Sequence, residues 1–166
     1  MDIQLVDLKN QYLKIASEIK DGLEDVMLTS HFIKGPYGKR LEQELSTYLN
    51  VAHTVNCANG TDALQIALMA LDLQPGDEVI TPAFTYAATV EVAKLLHLKP
   101  VYVDVDSDTF CINVTQLEEA ITPKTKAIIP VHLFGQCANM EAILKIAQEK
   151  GIFVIEDTAQ AIGASY

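Results

Sequence analysis

Residues 126–157, KAIIPVHLFGQCANMEAILKIAQEKGIFVIED, hold two short apolar runs, 126–131 and 152–155, on either side of a helical stretch at 140–150. The runs are too short for buried helices and have the length of strands. A strand, a helix and a second strand in this order form a crossover unit, and such units build parallel sheets. Working back toward the N-terminus, the same alternation recurs. Apolar runs at 53–57, 78–80 and 100–105 are followed by helical stretches at 62–73, 86–96 and 115–121. Five runs alternating with helices predict an α/β fold, a mostly parallel sheet with helices on both faces. Such a sheet places ligands at the carboxyl ends of its strands, so the loops at 58–61, 81–85, 104–108, 132–136 and 156–160 are the ones to search.

Before this pattern begins, Leu8, Tyr12, Ile15, Ala16, Ile19, Leu23, Val26 and Met27 recur at helical spacing among charged residues. A turn at Lys34-Gly35-Pro36 leads into a second amphipathic stretch carrying Leu41, Leu45 and Leu49. The expected division is an N-terminal helical segment at 1–50 and a sheet-bearing region at 51–166.

Composition narrows the function. With 49% hydrophobic and 20% charged residues over 166 positions, the chain can bury a core and is not a disordered segment. A net charge of −10 repels phosphate backbones and anionic membranes, so neither nucleic acid nor a membrane surface is an expected partner. Cys57, Cys111 and Cys137 are an odd number without metal-ligand spacing, which fits a reducing cytoplasm. Asp2 and Asp7 stand where a signal peptide needs positive charge, and no apolar run reaches the ~18 residues of a membrane span.

Three of the loops carry residues suited to a ligand. Asn59-Gly60-Thr61-Asp62 opens a helix: Gly60 permits close approach, Thr61 offers a hydroxyl, and the free N–H groups of a first turn attract anions such as phosphate. The same tetrapeptide also reads as ordinary helix capping. Phe84 and Tyr86 bring aromatic rings to the loop after a strand, to stack on a flat heterocycle or to fill the rim. Asp157 follows the strand at 152–155, where a carboxylate calls for a cation, a metal or a donor. Asp104, Asp106 and Asp108 resemble a calcium loop but lack its glycine and its closing glutamate, which favours a solvated turn, and His132 reads as a hydrogen-bonded structural residue. The glycine fingerprints of dinucleotide and P-loop sites are missing, as is a nucleophile elbow.

An anion cradle, an aromatic ring and a carboxylate on one edge together describe a phosphorylated planar ring with a protonated nitrogen, and pyridoxal 5'-phosphate fits. The sequence also resembles the DegT/DnrJ/EryC1/StrS sugar aminotransferases, which have the aspartate-aminotransferase-like fold (fold type I). The resemblance runs through LVDLKNQY, HFIKGP, ANGTDALQIAL, PGDEVITPAFTYAAT, KPVYVDVD, AIIPVHLFGQ and VIEDTAQAIGA in order. It implies that Gly60 and Thr61 hold the cofactor phosphate, that Tyr86 stacks on the ring, that Asp157 pairs with the ring nitrogen and that Gln160 lies near the ring's phenolic oxygen. It further implies a nucleotide-linked keto-sugar as amino acceptor, glutamate as donor, and a homodimer whose partner subunit completes each site.

In that family the Schiff-base lysine lies beyond the segment matching Gly163-Ala164-Ser165-Tyr166, so these residues are expected to be the N-terminal part of a longer enzyme, inactive alone. Lys145 and Lys150 sit on the predicted helix before the last strand, Lys124 and Lys126 precede another element, and none of them matches that lysine. A histidine in its place would make the protein a nucleotide-sugar dehydratase. A natural end of the chain would make it a non-catalytic ligand-binding or dimerising remnant.

Overall fold

A computed structural model describes residues 6–166 and divides the chain into two units, Met1–Asn56 and Cys57–Tyr166. In the first unit, α1 (Leu8–Thr29) is capped by the Asp7 carboxylate, which accepts from the Asn10 amide, and α2 (Pro36–Leu49) begins with proline at its first position. Gly35 precedes that proline because a Cβ there would lie 2.3 Å from the His31 carbonyl oxygen.

The second unit contains α3 (Gly60–Ala70), β1 (Glu78–Pro82), α4 (Ala88–Leu95), β2 (Lys99–Val103), α5 (Val114–Ala120), β3 (Thr125–Ile128), α6 (Met140–Lys150) and β4 (Phe153–Val154). The four strands form one sheet in the order β2-β1-β3-β4, with every pairing parallel. The α/β class with a parallel sheet is as the sequence predicts, but one of the five predicted strands is missing. Residues 53–57 form no strand. Their backbone has no neighbouring strand to pair with among the described residues, Val55 is exposed, and the Asn56 amide donates to the Glu42 carboxylate instead.

Side-chain alternation sorts the core into two layers. Val79, Ala127 and Ile129 pack with Leu64 and Leu68 of α3 and Val92 and Ala93 of α4. Ile80 and Ile128 point the other way, onto Leu117 of α5 and Met140, Ile143 and Ala147 of α6. The helices therefore cover both faces, α3 and α4 on one and α5 and α6 on the other.

This arrangement follows from crossover handedness. From β1 the chain moves outward to β2 by way of α4. It then returns past β1 to β3 and on to β4 by way of α5 and α6 on the opposite face. Connections of one hand must change face when the winding direction reverses. The reversal falls between β1 and β3, and it is beyond the carboxyl ends of the strands at such a reversal that sheets of this kind hold ligands. None of the described helices is long and apolar enough to cross a membrane.

Candidate functional site

The carboxyl edge of the sheet carries the segments that follow β1, β3 and β4. The parallel ladder continues past β4: the Asp157 amide donates to the Pro130 carbonyl (3.0 Å), and the His132 amide donates to the Asp157 carbonyl (3.0 Å). Asp157 is thus the last rung of the sheet and is half-buried. By alternation its side chain belongs to the α3/α4 face, and there the Thr89 hydroxyl donates to Oδ2 at 3.1 Å while the Ala159 amide donates to Oδ1 at 3.2 Å. Among the described residues no lysine, arginine or histidine forms an ion pair with it. Of the cation, metal or donor that such a carboxylate calls for, the chain itself supplies two neutral donors, which fix its direction at the open edge of the sheet.

Thr89 ties this carboxylate to the aromatic loop. It is 1% exposed, in the first turn of α4, and its amide donates to the Tyr86 carbonyl (3.2 Å). Its hydroxyl also meets that of Thr85 at 3.4 Å. Tyr86 is 76% exposed, its ring free at the rim. Thr89 closes the motif PGDEVITPAFTYAAT, to which the sequence assigns no role at that position. The available signal was its place three residues after Tyr86, one helical turn on.

Gly60 and Thr61 reach the same edge by topology. The connection from α3 to β1 is short, so α3 runs antiparallel to β1 and its N-terminus stands at the carboxyl ends of the strands. Asn59 caps the helix, its side chain accepting the Asp62 amide at 2.9 Å. That bond leaves the N–H groups of Gly60 and Thr61 without an intrahelical partner. A Cβ on Gly60 would meet nothing within 4 Å, so the glycine leaves open space in front of that turn. No hydrogen bond joins Gly60 or Thr61 to Tyr86 or Asp157 among the described residues.

Gln160 is exposed, and its Oε1 accepts the Phe134 amide at 3.0 Å. That bond settles which end of the side-chain amide faces the chain and turns the NH2 donors outward. Phe134 adopts left-handed backbone (φ 56°), and its ring meets Phe84 and Phe110 with centroids 6.5 and 6.0 Å away. Phe84 is therefore part of a three-ring cluster drawn from three successive loops. Asp106 accepts from the Asp108 and Thr109 amides, so the acidic loop is an ordinary turn. Among the described residues it gathers no metal-holding group. On the α3/α4 face, the Thr81 hydroxyl is buried and has no hydrogen-bond partner among the described residues.

Residues 13–166 match the DegT/DnrJ/EryC1/StrS aminotransferase family. The chain belongs to this family. It is 53% identical over 164 residues to the UDP-2-acetamido-2-deoxy-3-oxo-D-glucuronate aminotransferase of Pseudomonas aeruginosa, covering 99% of this chain and 46% of that relative. It is 45% identical over 146 residues to the 3-oxo-glucose-6-phosphate:glutamate aminotransferase of Bacillus subtilis, covering 88% and 33%. The structure of ntda from Bacillus subtilis, with bound cofactor PMP, superposes with a TM-score of 0.91 at 41% identity, covering 99% of this chain and 39% of that one. The chain thus spans less than half the length of these family members.

Proposed function

We propose that these residues are the N-terminal part of a pyridoxal-phosphate-dependent aminotransferase that acts on a nucleotide-linked keto-sugar with glutamate as amino donor. The enzyme would be a cytoplasmic homodimer. The observation that carries this reading is Asp157, a carboxylate fixed by Thr89 at the carboxyl edge of a parallel sheet and lacking a cationic partner among the described residues. A cationic ring nitrogen is the group such a carboxylate is prepared to receive.

The residues fit the cofactor. Gly60 and Thr61 would hold its phosphate on the free N–H groups of α3, where the helix dipole favours an anion and no Cβ stands in the way. Tyr86 would stack on one ring face, and Gln160 would direct its NH2 to the ring oxygen because its carbonyl is already engaged by Phe134. When bound, the cofactor supplies an electron-withdrawing ring that stabilises negative charge on the carbon bearing the amine. Asp157 keeps a proton on the ring nitrogen, and Thr89 holds Asp157 in the direction that does so.

The lysine that moves the proton is proposed to lie outside these residues. Lys124 and Lys126 adjoin the amino end of β3, Lys150 ends α6, and Lys94 is in the last turn of α4, all at the edge of the sheet opposite Asp157. The relative named for a UDP-linked 3-oxo-sugar supports the nucleotide-linked acceptor, and the relative named for 3-oxo-glucose-6-phosphate supports a 3-keto-sugar and glutamate.

The reading is tested in a protein of full family length containing these residues. With the cofactor added and 15N-glutamate as donor, the label is expected in the product of a nucleotide-linked keto-sugar, followed by mass spectrometry. Cofactor binding with no label in any such sugar would overturn the substrate class, and no cofactor binding would overturn the whole reading.

A further inference from the structure

On the reverse side of the rung that carries Asp157 lies a polar cluster that the proposed chemistry does not use. His132 and Glu156 flank that rung, and by alternation their side chains belong to the α5/α6 face. His132 is 2% exposed, and both ring nitrogens are engaged. Nδ1 accepts the Ala138 amide at 3.2 Å, which leaves Nε2 to carry the proton and donate to Oε2 of Glu156 at 2.9 Å. The other carboxylate oxygen of Glu156 accepts the Tyr166 hydroxyl at 3.5 Å.

From this geometry we infer that His132 and Glu156 are positioning residues that clamp the end of the sheet and thereby fix the direction of the Asp157 carboxylate. The inference rests on the reading of Asp157 given above. β4 is only two residues long, so the ladder at Asp157 depends on a pair of backbone hydrogen bonds at a strand end, where sheets fray. The side-chain bond joins the same two segments across the opposite face, and His132 is itself anchored through Ala138 to the start of α6. Asp157 thus has a hydroxyl on one side of the sheet and a buried imidazole bracing its backbone from the other. Displacement of a catalytic contact by ~1 Å costs about a hundredfold in rate, so bracing of this kind matters to turnover more than to affinity.

The test uses the full-length protein loaded with the cofactor. Glu156 has a side chain 35% exposed, so Glu156→Ala is expected to fold, whereas truncating His132 leaves a buried hole. Glu156→Ala is expected to lower kcat about tenfold, with KM for glutamate changed less than twofold. It should also weaken the cofactor's visible circular dichroism and speed hydrogen exchange at the Asp157 and His132 amides. Glu156→Gln keeps an acceptor for Nε2–H and is expected to restore all three readouts to near the parent values. Unchanged exchange and dichroism in Glu156→Ala, or no rescue by glutamine, would overturn the clamp. If the parent protein binds no cofactor, the reading of Asp157 fails instead, while amide exchange in the cofactor-free protein still decides whether Glu156 steadies the rung.

Discussion

Two carboxylates sit at opposite ends of the same parallel sheet and have opposite surroundings. Glu78 opens β1 at the amino edge and is 4% exposed, and its oxygens are taken up within the chain by the Lys99 ammonium (2.9 Å) and the hydroxyls of Thr122 and Thr125. Asp157 closes the ladder at the carboxyl edge, half-buried, with one hydroxyl and one amide and no cation among the described residues. A carboxylate completed by its own chain is part of the fold. One held in place without a counter-charge is what the proposed cofactor reading requires of Asp157. The hydrogen bond from Thr122, and then that from Lys99, hold the Glu78 carboxyl below its ordinary value of 4.5.

The contrast can be broken most directly at Asp157. In the full-length protein, Asp157→Asn is expected to lower kcat by about a hundredfold or more, while urea unfolding shifts by less than about 1 kcal/mol. A turnover equal to the parent's would remove the distinction. The reverse outcome is expected at the other edge, where Glu78→Gln should cost roughly 2 kcal/mol in unfolding free energy because it breaks a buried, charge-assisted cluster. The sign of the pH effect follows from the lowered value. Ionised Glu78 is favoured in the folded state, so its stabilisation is complete above the ordinary glutamate range and disappears as pH falls through the lower folded value. Unfolding midpoints measured from pH 6 down to pH 3 should therefore fall less steeply for the glutamine variant. Parallel curves would mean that Glu78 contributes nothing through its charge.

A smaller effect sharpens the comparison. Thr89→Val keeps the shape and removes the hydroxyl that orients Asp157, and it is expected to weaken cofactor retention about tenfold in equilibrium dialysis. Retention equal to the parent's would show that the ladder alone aims the carboxylate. The smallest stability change belongs to Gly60→Ala, expected within about 0.5 kcal/mol because the added methyl meets nothing in the chain. Phosphate-dependent cofactor binding should nevertheless weaken, measured against a dephosphorylated analogue. Equal affinity for the two forms in both proteins would argue against a phosphate at α3.

The periodic parts of the chain were readable in one dimension. The apolar runs at β1, β2, β3 and β4 and the helical stretches between them specify a parallel α/β sheet, because alternation of strand and crossover helix has few other solutions. Residues 53–57 have the same local pattern and form no strand, since a strand exists only where another backbone completes its hydrogen bonds. The site divides in a similar way. Gly60, Tyr86, Asp157 and Gln160 could be singled out because loops at strand ends have recognisable chemistry and because the motifs resemble a known family.

The bond from Thr89 to Asp157, the closed cluster around Glu78 and the pair of His132 with Glu156 could not be read locally, as each joins partners 21 to 68 positions apart. The sequence by itself determined which residue types stand at the carboxyl ends of the strands. Only the tertiary structure decided which carboxylate is neutralised within the chain and which has no counter-charge among the described residues, because that depends on what desolvates and surrounds each oxygen, and such neighbours are set by packing rather than by order along the chain.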